Sequence, residues 1–189
     1  IWCPLPLKKE LTVKQFSYVN WLGIEHVSEQ PSVDKNNVWI DALFGIGQYK
    51  PLPKRLSEIF KARQEKQPGR LISLDIPSGI CSDTGKSFRG GSATASITLS
   101  MGFFKQGLIQ DLAIDKVGHL ERIDLGLPSI VFAQIPENQP LRICSSDINS
   151  IELLSPPSYA NKYQRGRTLI IAGSQKYPGA AHIALKGAL

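Results

Sequence analysis

One pattern narrows the possible folds of this chain more than any other: an apolar run that carries an aspartate near its end and then breaks into a small-residue turn. It occurs at VWIDALFGIG, where Val38 to Phe44 reads as the strand, and again at RLISLDIPSG, where Arg70 to Ile76 does. Between the two, Lys54 to Gln67 has the period of a helix, with Leu56, Ile59, Phe60 and Arg63 on one side and Pro68-Gly69 to stop it. Strand, turn, helix, strand in this order predicts a right-handed βαβ crossover and a mostly parallel sheet covered on both faces, a three-layer αβα fold of the α/β class. Ligands of such sheets bind beyond the carboxyl ends of the strands. Asp41 and Asp75 fall near the ends of two strands joined by one helix, so their turns are expected to open on the same sheet edge.

The remaining elements fit this frame. Leu11 to Leu22 carries a loose helical stripe, and Ala93 to Ser100 and His119 to Leu125 alternate like strands. Ala133 to Pro157 is rich in Pro, Ser and Asn and reads as a linker. Arg167 to Ala172 (RTLIIA) reads as a fresh strand, followed by GSQKYPGAA and a helix from near Pro178. The expected organisation is therefore a domain over 1–136, a linker over 137–160 and the start of a second α/β domain over 161–189. The chain begins with Ile1 rather than Met and stops within a helical pattern, so both ends are expected to be cut.

Composition excludes several classes. No apolar run approaches the roughly 18 residues of a membrane span, and the start lacks the basic region and apolar stretch of a secretory signal. Cys3, Cys81 and Cys144 are odd in number and far apart, which argues against a disulfide framework or structural zinc and suits a reducing cytoplasm. The three histidines are scattered without ligand spacing. Net charge is +6, and Lys50 to Arg70 supplies +5 of it, with seven Lys or Arg against two Glu. Such a stretch can attract phosphates or nucleic acid. The solvated face of an amphipathic helix explains most of it, so no nucleic-acid partner is expected. Lys50, in the turn itself, is the residue expected to see a ligand.

The chemistry concentrates in LDIPSGICSDTG, Leu74 to Gly85. Pro77 restricts the backbone before it, and Ser78-Gly79 offers a hydroxyl, a carbonyl and a tight turn close to Asp75. These oxygens suit a hard cation. A strand-end aspartate in a cleft also suits general acid or base work. On local sequence alone, Asp75 accepting hydrogen bonds from its own turn is an equal alternative. Asp83-Thr84-Gly85 reads as a plain turn.

Taken together, Asp-Ala-Leu-Phe-Gly-Ile-Gly at Asp41 to Gly47, Leu-Asp-Ile-Pro-Ser-Gly at Leu74 to Gly79, Asp83-Thr84-Gly85, Phe104-Lys105-Gln106-Gly107 and Ile123 to Pro128 resemble the NAD(P)H-hydrate epimerase family, the YjeF N-terminal domain. Asn161 to Gly166 followed by LIIAGSQKYPGAA resembles the opening of the ADP-dependent NAD(P)H-hydrate dehydratase, a ribokinase-like domain. The resemblance implies a Rossmann-like epimerase domain, then the first strand and helix of the ribokinase-like one. It implies interconversion of the R and S forms of NADH or NADPH hydrated at C6 of the nicotinamide ring, with the second domain removing water from the S form at the expense of ADP, with Mg2+. It also implies a potassium ion on Asp41 and Ser78, which would offset repulsion between paired carboxylates. Substrate contacts would come from Gly45, Ile46, Gly47, Gln48, Tyr49, Lys50, Pro51 and Asp75, with Asp75 as the acid/base group. Lys105 is a candidate further contact, with a solvated lysine the preferred reading. The full-length form is expected to be a cytoplasmic homo-oligomer without a membrane partner.

Some features depart from the family pattern. Its early Asn-Asn-Gly-Gly-Asp element is not found, Ile46 stands where a small polar residue is common, and Asn161 replaces an expected His. The fragment alone is therefore expected to have little or no activity. The competing reading is an inactive epimerase-like scaffold or a nucleotide- or RNA-binding module. An ordinary Rossmann dehydrogenase is disfavoured, since no G-x-G-x-x-G follows a strand with an acidic residue about 20 positions on.

Overall fold

The computed structural model describes residues 1–136, 138–149 and 157–188. The chain divides into two units, Ile1–Gln134 and Ile135–Leu189. In the first, helix α1 (Glu10–Trp21) precedes β1 (Trp39–Asp41), α2 (Lys54–Lys66), β2 (Leu71–Leu74) and β3 (Ile97–Met101). A short helix α3 (Ile114–Val117), strand β4 (His119–Ile123) and helix α4 (Ser129–Ala133) complete it. The strands form one sheet in the order β1-β2-β3-β4, and every neighbouring pair is parallel. The α/β, Rossmann-like expectation holds.

Helix α2 follows from its own sequence. Leu56, Ile59 and Phe60 recur at helical spacing and are buried with Leu52, Leu71, Ala93 and Ala95 in one core cluster. A second cluster joins Ile76, Ile80, Leu108, Ala113 and Val117. Arg63, on the same side of α2, is only 1% exposed. Its Nη1 donates to the carbonyls of Val33 and Lys35 at 2.9 and 2.8 Å and its Nη2 to that of Asn37, while the guanidinium lies 5.0 Å from the Trp39 ring centroid. The loop before β1 is thus gathered onto a single cation, and β1 is held against α2.

The observed strands are shorter than the sequence pattern suggests. β1 ends at Asp41 rather than Phe44 because the Asp41 carboxylate accepts the Leu43 N–H at 3.4 Å, the local side-chain bond that draws a chain out of a ladder. Residues 93–96 lie outside β3. Ala93 N there donates to Ser78 O, and Ala95 N to Lys116 O.

In the second unit, helices α5 (Ser145–Asn149) and α6 (Gly179–Ala188) are formed. Helix α6 starts next to Pro178 as expected. The strand expected at Arg167 to Ala172 does not form: these residues pair with no strand among the described residues, and Leu169 and Ile171 are 83% and 90% exposed. An apolar run becomes a strand only when a neighbour takes up its backbone groups. The expected linker, Ala133 to Pro157, contains α5; its residues 137 and 150–156 lie outside the described residues. No helix among the described residues is long and apolar enough to cross a membrane.

Candidate functional site

Parallel register brings the two aspartates to one edge of the sheet. Asp41 pairs in register with Ser73, two residues before Asp75. Ser73 sits on the same face of β2 as Leu71, since side chains alternate along a strand, and its hydroxyl donates to Asp41 Oδ2 at 3.1 Å. Ser78 donates twice, its N–H to Oδ2 at 2.8 Å and its hydroxyl to Oδ1 at 2.6 Å. With Leu43 N, four donors meet a carboxylate with roughly four acceptor positions. Asp41 is 3% exposed and Ser78 fully buried. Burial raises the Asp41 carboxyl above its ordinary range, against the opposing pull of hydrogen bonds from Ser78, Leu43 and Ser73.

Asp75 is built differently. Its φ is +68°, and no other described residue apart from glycine has a positive φ. Its N–H still bonds Leu99 O on β3 at 2.8 Å, while Ile76 N bonds Leu74 O at 2.9 Å. A hydrogen bond spanning two residues around a positive φ is a γ-turn of the rare, strained kind. Proline at 77 was expected to restrict the backbone before it; the sharp feature lies one residue earlier, where an aspartate tolerates the left-handed region better than most residues. The turn swings the carboxylate toward β3. There Oδ1 accepts the Met101 N–H at 3.3 Å and a proton of Lys105 Nζ. Asp75 Oδ2 takes no hydrogen bond among the described residues. It lies against Gly45, where an added Cβ would stand 2.7 Å from it.

Lys105 is therefore not the solvated lysine expected. Its side chain and that of Asp75 are each 13% exposed. The two carboxylates do not share a partner: Asp41 takes serine and backbone donors, and Asp75 takes Lys105.

The turn from Gly45 to Pro51 faces this edge. Gln48 N closes it onto Gly45 O at 3.1 Å. The Gln48 side chain latches it, with Oε1 accepting the Gly79 N–H at 2.8 Å and Nε2 donating to Lys50 O at 3.0 Å. Gly79 is held to glycine from another side: its φ is +98°, and an added Cβ would stand 2.7 Å from Ser92 Cα and 2.8 Å from Gly91 O. Ile46, Tyr49, Lys50 and Pro51 are exposed, Gly47 has open space around it, and Lys50 Nζ stands 5.4 Å from the Tyr49 ring centroid. A cavity of about 930 Å³ runs along β1 and reaches Asp41, Leu43 and Phe44; Asp75 is not among its lining residues.

Pattern reading missed Ser73, and it named Lys105 as a candidate contact but preferred a solvated lysine. A serine inside the apolar run LISL was the signal for the first. The second follows β3 just as the other site residues follow β1 and β2.

Residues 1–107 match the family described as YjeF-related protein N-terminus. The chain belongs to that family. Among relatives of this family member, the bifunctional NAD(P)H-hydrate repair enzyme Nnr of Gloeobacter violaceus is 32% identical over 203 residues, covering 100% of this chain and 38% of the relative. The enzyme of the same description from Synechocystis is 33% identical, covering 98% of this chain and 35% of the relative. An NAD(P)H-hydrate epimerase of Weissella koreensis is 34% identical over 107 residues, covering 57% of this chain and 48% of that protein. The chain thus spans little more than a third of the length of the two bifunctional relatives.

Proposed function

We propose that this chain supplies the epimerase part of a nicotinamide-nucleotide repair protein, interconverting the R and S hydrates of NADH and NADPH. In this reading residues 1–136 belong to the epimerase domain, 137–160 to a linker and 161–189 to the start of a dehydratase domain that uses ADP and Mg2+. The observation that carries it is the Asp75 turn: a carboxylate on a strained backbone, one oxygen tied to Lys105 and the other facing Gly45 with no hydrogen-bond donor among the described residues. The names of the relatives point the same way.

The chemistry asked for is modest. Hydration at C6 places a hydroxyl on a carbon bonded to the ring nitrogen. When Asp75 Oδ2 takes the hydroxyl proton and passes it to that nitrogen, the carbon–nitrogen bond breaks and an aldehyde remains. Rotation and closure on the other face return the proton to oxygen and invert the centre. One carboxylate able to accept and return a proton suffices. The exposed Gly45 to Pro51 turn is the proposed contact for the rest of the dinucleotide.

Potassium at Asp41 and Ser78 is part of the proposal. The donors are oxygens, as a hard cation requires, and Ser78 Oγ keeps lone pairs while donating to Asp41. The Asp41 acceptor positions are already filled, so an ion there would displace a donor, the longest contact being Leu43 N at 3.4 Å. The ion would supply positive charge beside a buried carboxylate and hold the Ser78 turn to β1. Among the described residues no cluster of three His, Cys, Asp or Glu offers a competing metal site. The three cysteines are free, in keeping with a reducing cytoplasm.

The test is conversion of R to S hydrate by the protein as its gene encodes it, followed chromatographically, in potassium and in choline buffers. Conversion that needs potassium is the expected result. A folded protein that converts neither form overturns the reading in favour of a scaffold. In the same buffers the melting temperature should rise with potassium, about 2.7 kcal/mol of stabilisation being expected at a hundredfold excess over the dissociation constant.

A further inference from the structure

We propose that Lys105 is the positioning residue of this site, reserving Asp75 Oδ2 as the single oxygen that works on the substrate; the proposal rests on the epimerase reading above. A lysine ammonium has three protons, and here each has an acceptor: Asp75 Oδ1, Met101 O at 2.7 Å and Ser100 Oγ at 3.3 Å. Ser100 is itself fully buried and donates onward to Phe103 O at 3.0 Å. The ammonium is therefore fixed from three directions and has no proton left for a ligand.

The consequence falls on the carboxylate. Rotation about the Asp75 Cβ–Cγ bond would exchange its two oxygens. Lys105 Nζ and Met101 N, both on Oδ1, hold it still. Among the described residues Oδ2 has no donor, and it lies against a turn whose glycine has no Cβ to cover it. A substrate seated on the Gly45 turn meets one oxygen of fixed direction, the arrangement that converts binding into a near-attack geometry. Lys105 acts through Asp75 and touches no reacting atom.

The test is a double-variant cycle in the protein as its gene encodes it, with kcat and KM measured separately. Lys105→Met keeps the volume and removes the charge and donors. It is expected to lower kcat about 100-fold, the scale of a misplaced catalytic group, with KM within about threefold. Lys105→Arg, which retains the charge, should recover at least part of that loss. Asp75→Asn with Lys105→Met should be no slower than Asp75→Asn alone, because residues acting as a unit are not additive. The Asp75 carboxyl carbon resonance should shift in Lys105→Met while the remaining amide spectrum stays native. Additive losses, a rise in KM with unchanged kcat, or wild-type kcat in folded Lys105→Met each overturn the proposal. If Lys105→Met does not fold, Ser100→Ala takes its place: loosening one anchor should lower kcat without raising KM, and unchanged kcat overturns the proposal. No conversion by the wild type overturns the epimerase reading itself; conversion by the wild type with Lys105→Met unaffected overturns only the role given to Lys105.

Discussion

Asp41 and Asp75 show how one residue type is put to two uses by its surroundings. Asp41 is sealed among four donors, and burial raises its carboxyl. A folded-state pKa above the unfolded value means that protonation favours the fold. Stability is then greatest below the ordinary carboxylate range and falls as pH rises through the raised folded value. Chemical denaturation in potassium-free buffer from pH 3 upward should show this decline, and Asp41→Asn should flatten it. The same variant should lose about 1–3 kcal/mol at acid pH, since an amide nitrogen would face N–H and O–H donors that need an acceptor. Asp75 leaves one oxygen free, and the space for that oxygen is provided by Gly45. Gly45→Ala should lower the melting temperature, because the φ of Gly45 is open to other residues but the added Cβ would stand 2.7 Å from Oδ2 of a carboxylate that Lys105 and Met101 hold in place. Conversion of the hydrate should fall about 100-fold as the carboxylate is displaced. Both aspartates were legible in the sequence, from strand-end position alone. The γ-turn at Asp75 was not, because nothing in Leu-Asp-Ile-Pro announces a positive φ one residue ahead of the position that proline restricts.

Among the elements, α2 does more than cover the sheet. Through Arg63 it fixes the loop that delivers β1, and β1 carries Asp41. Arg63→Met should cost about 1.5–3 kcal/mol, the scale of hydrogen bonds from a charged donor, measured by urea denaturation. Arg63→Lys should recover little of it, since an ammonium cannot reproduce the fork that spans three carbonyls. The helix itself and the placement of Arg63 on its inner side were readable from periodicity, but the carbonyls it would meet were not. They come from residues 33–37, a stretch whose sequence shows no repeating pattern. Arg167 to Ala172 gives the converse lesson. Its composition suits a strand, but composition cannot supply the neighbour that a strand requires, and among the described residues none is present. Lys105 was misread for a related reason: a lysine in a loop is usually hydrated, and only the position of β3 beside β2 brings it to a carboxylate 30 residues away.

At the scale of the molecule, both core clusters lie wholly within the first unit. A chain ending at Gln134 should therefore unfold cooperatively with a midpoint close to that of the same unit in the longer chain, a comparison open to calorimetry; broad, non-cooperative melting would count against it. The parallel sheet was legible because a strand, helix and strand in succession leave few other topologies, whereas the strand order and the register that sets Asp41 opposite Ser73 emerge only in three dimensions. That register also has a meaning in time. Trp39 pairs with Leu71, 32 residues later, so at about 5–20 residues per second β1 leaves the ribosome roughly 2–6 seconds before its partner exists. For that interval Asp41 is an ordinary hydrated acid. It becomes a buried one only when Ser73 and Ser78 arrive, so this carboxyl group is taken out of water only after the groups that satisfy it have been made.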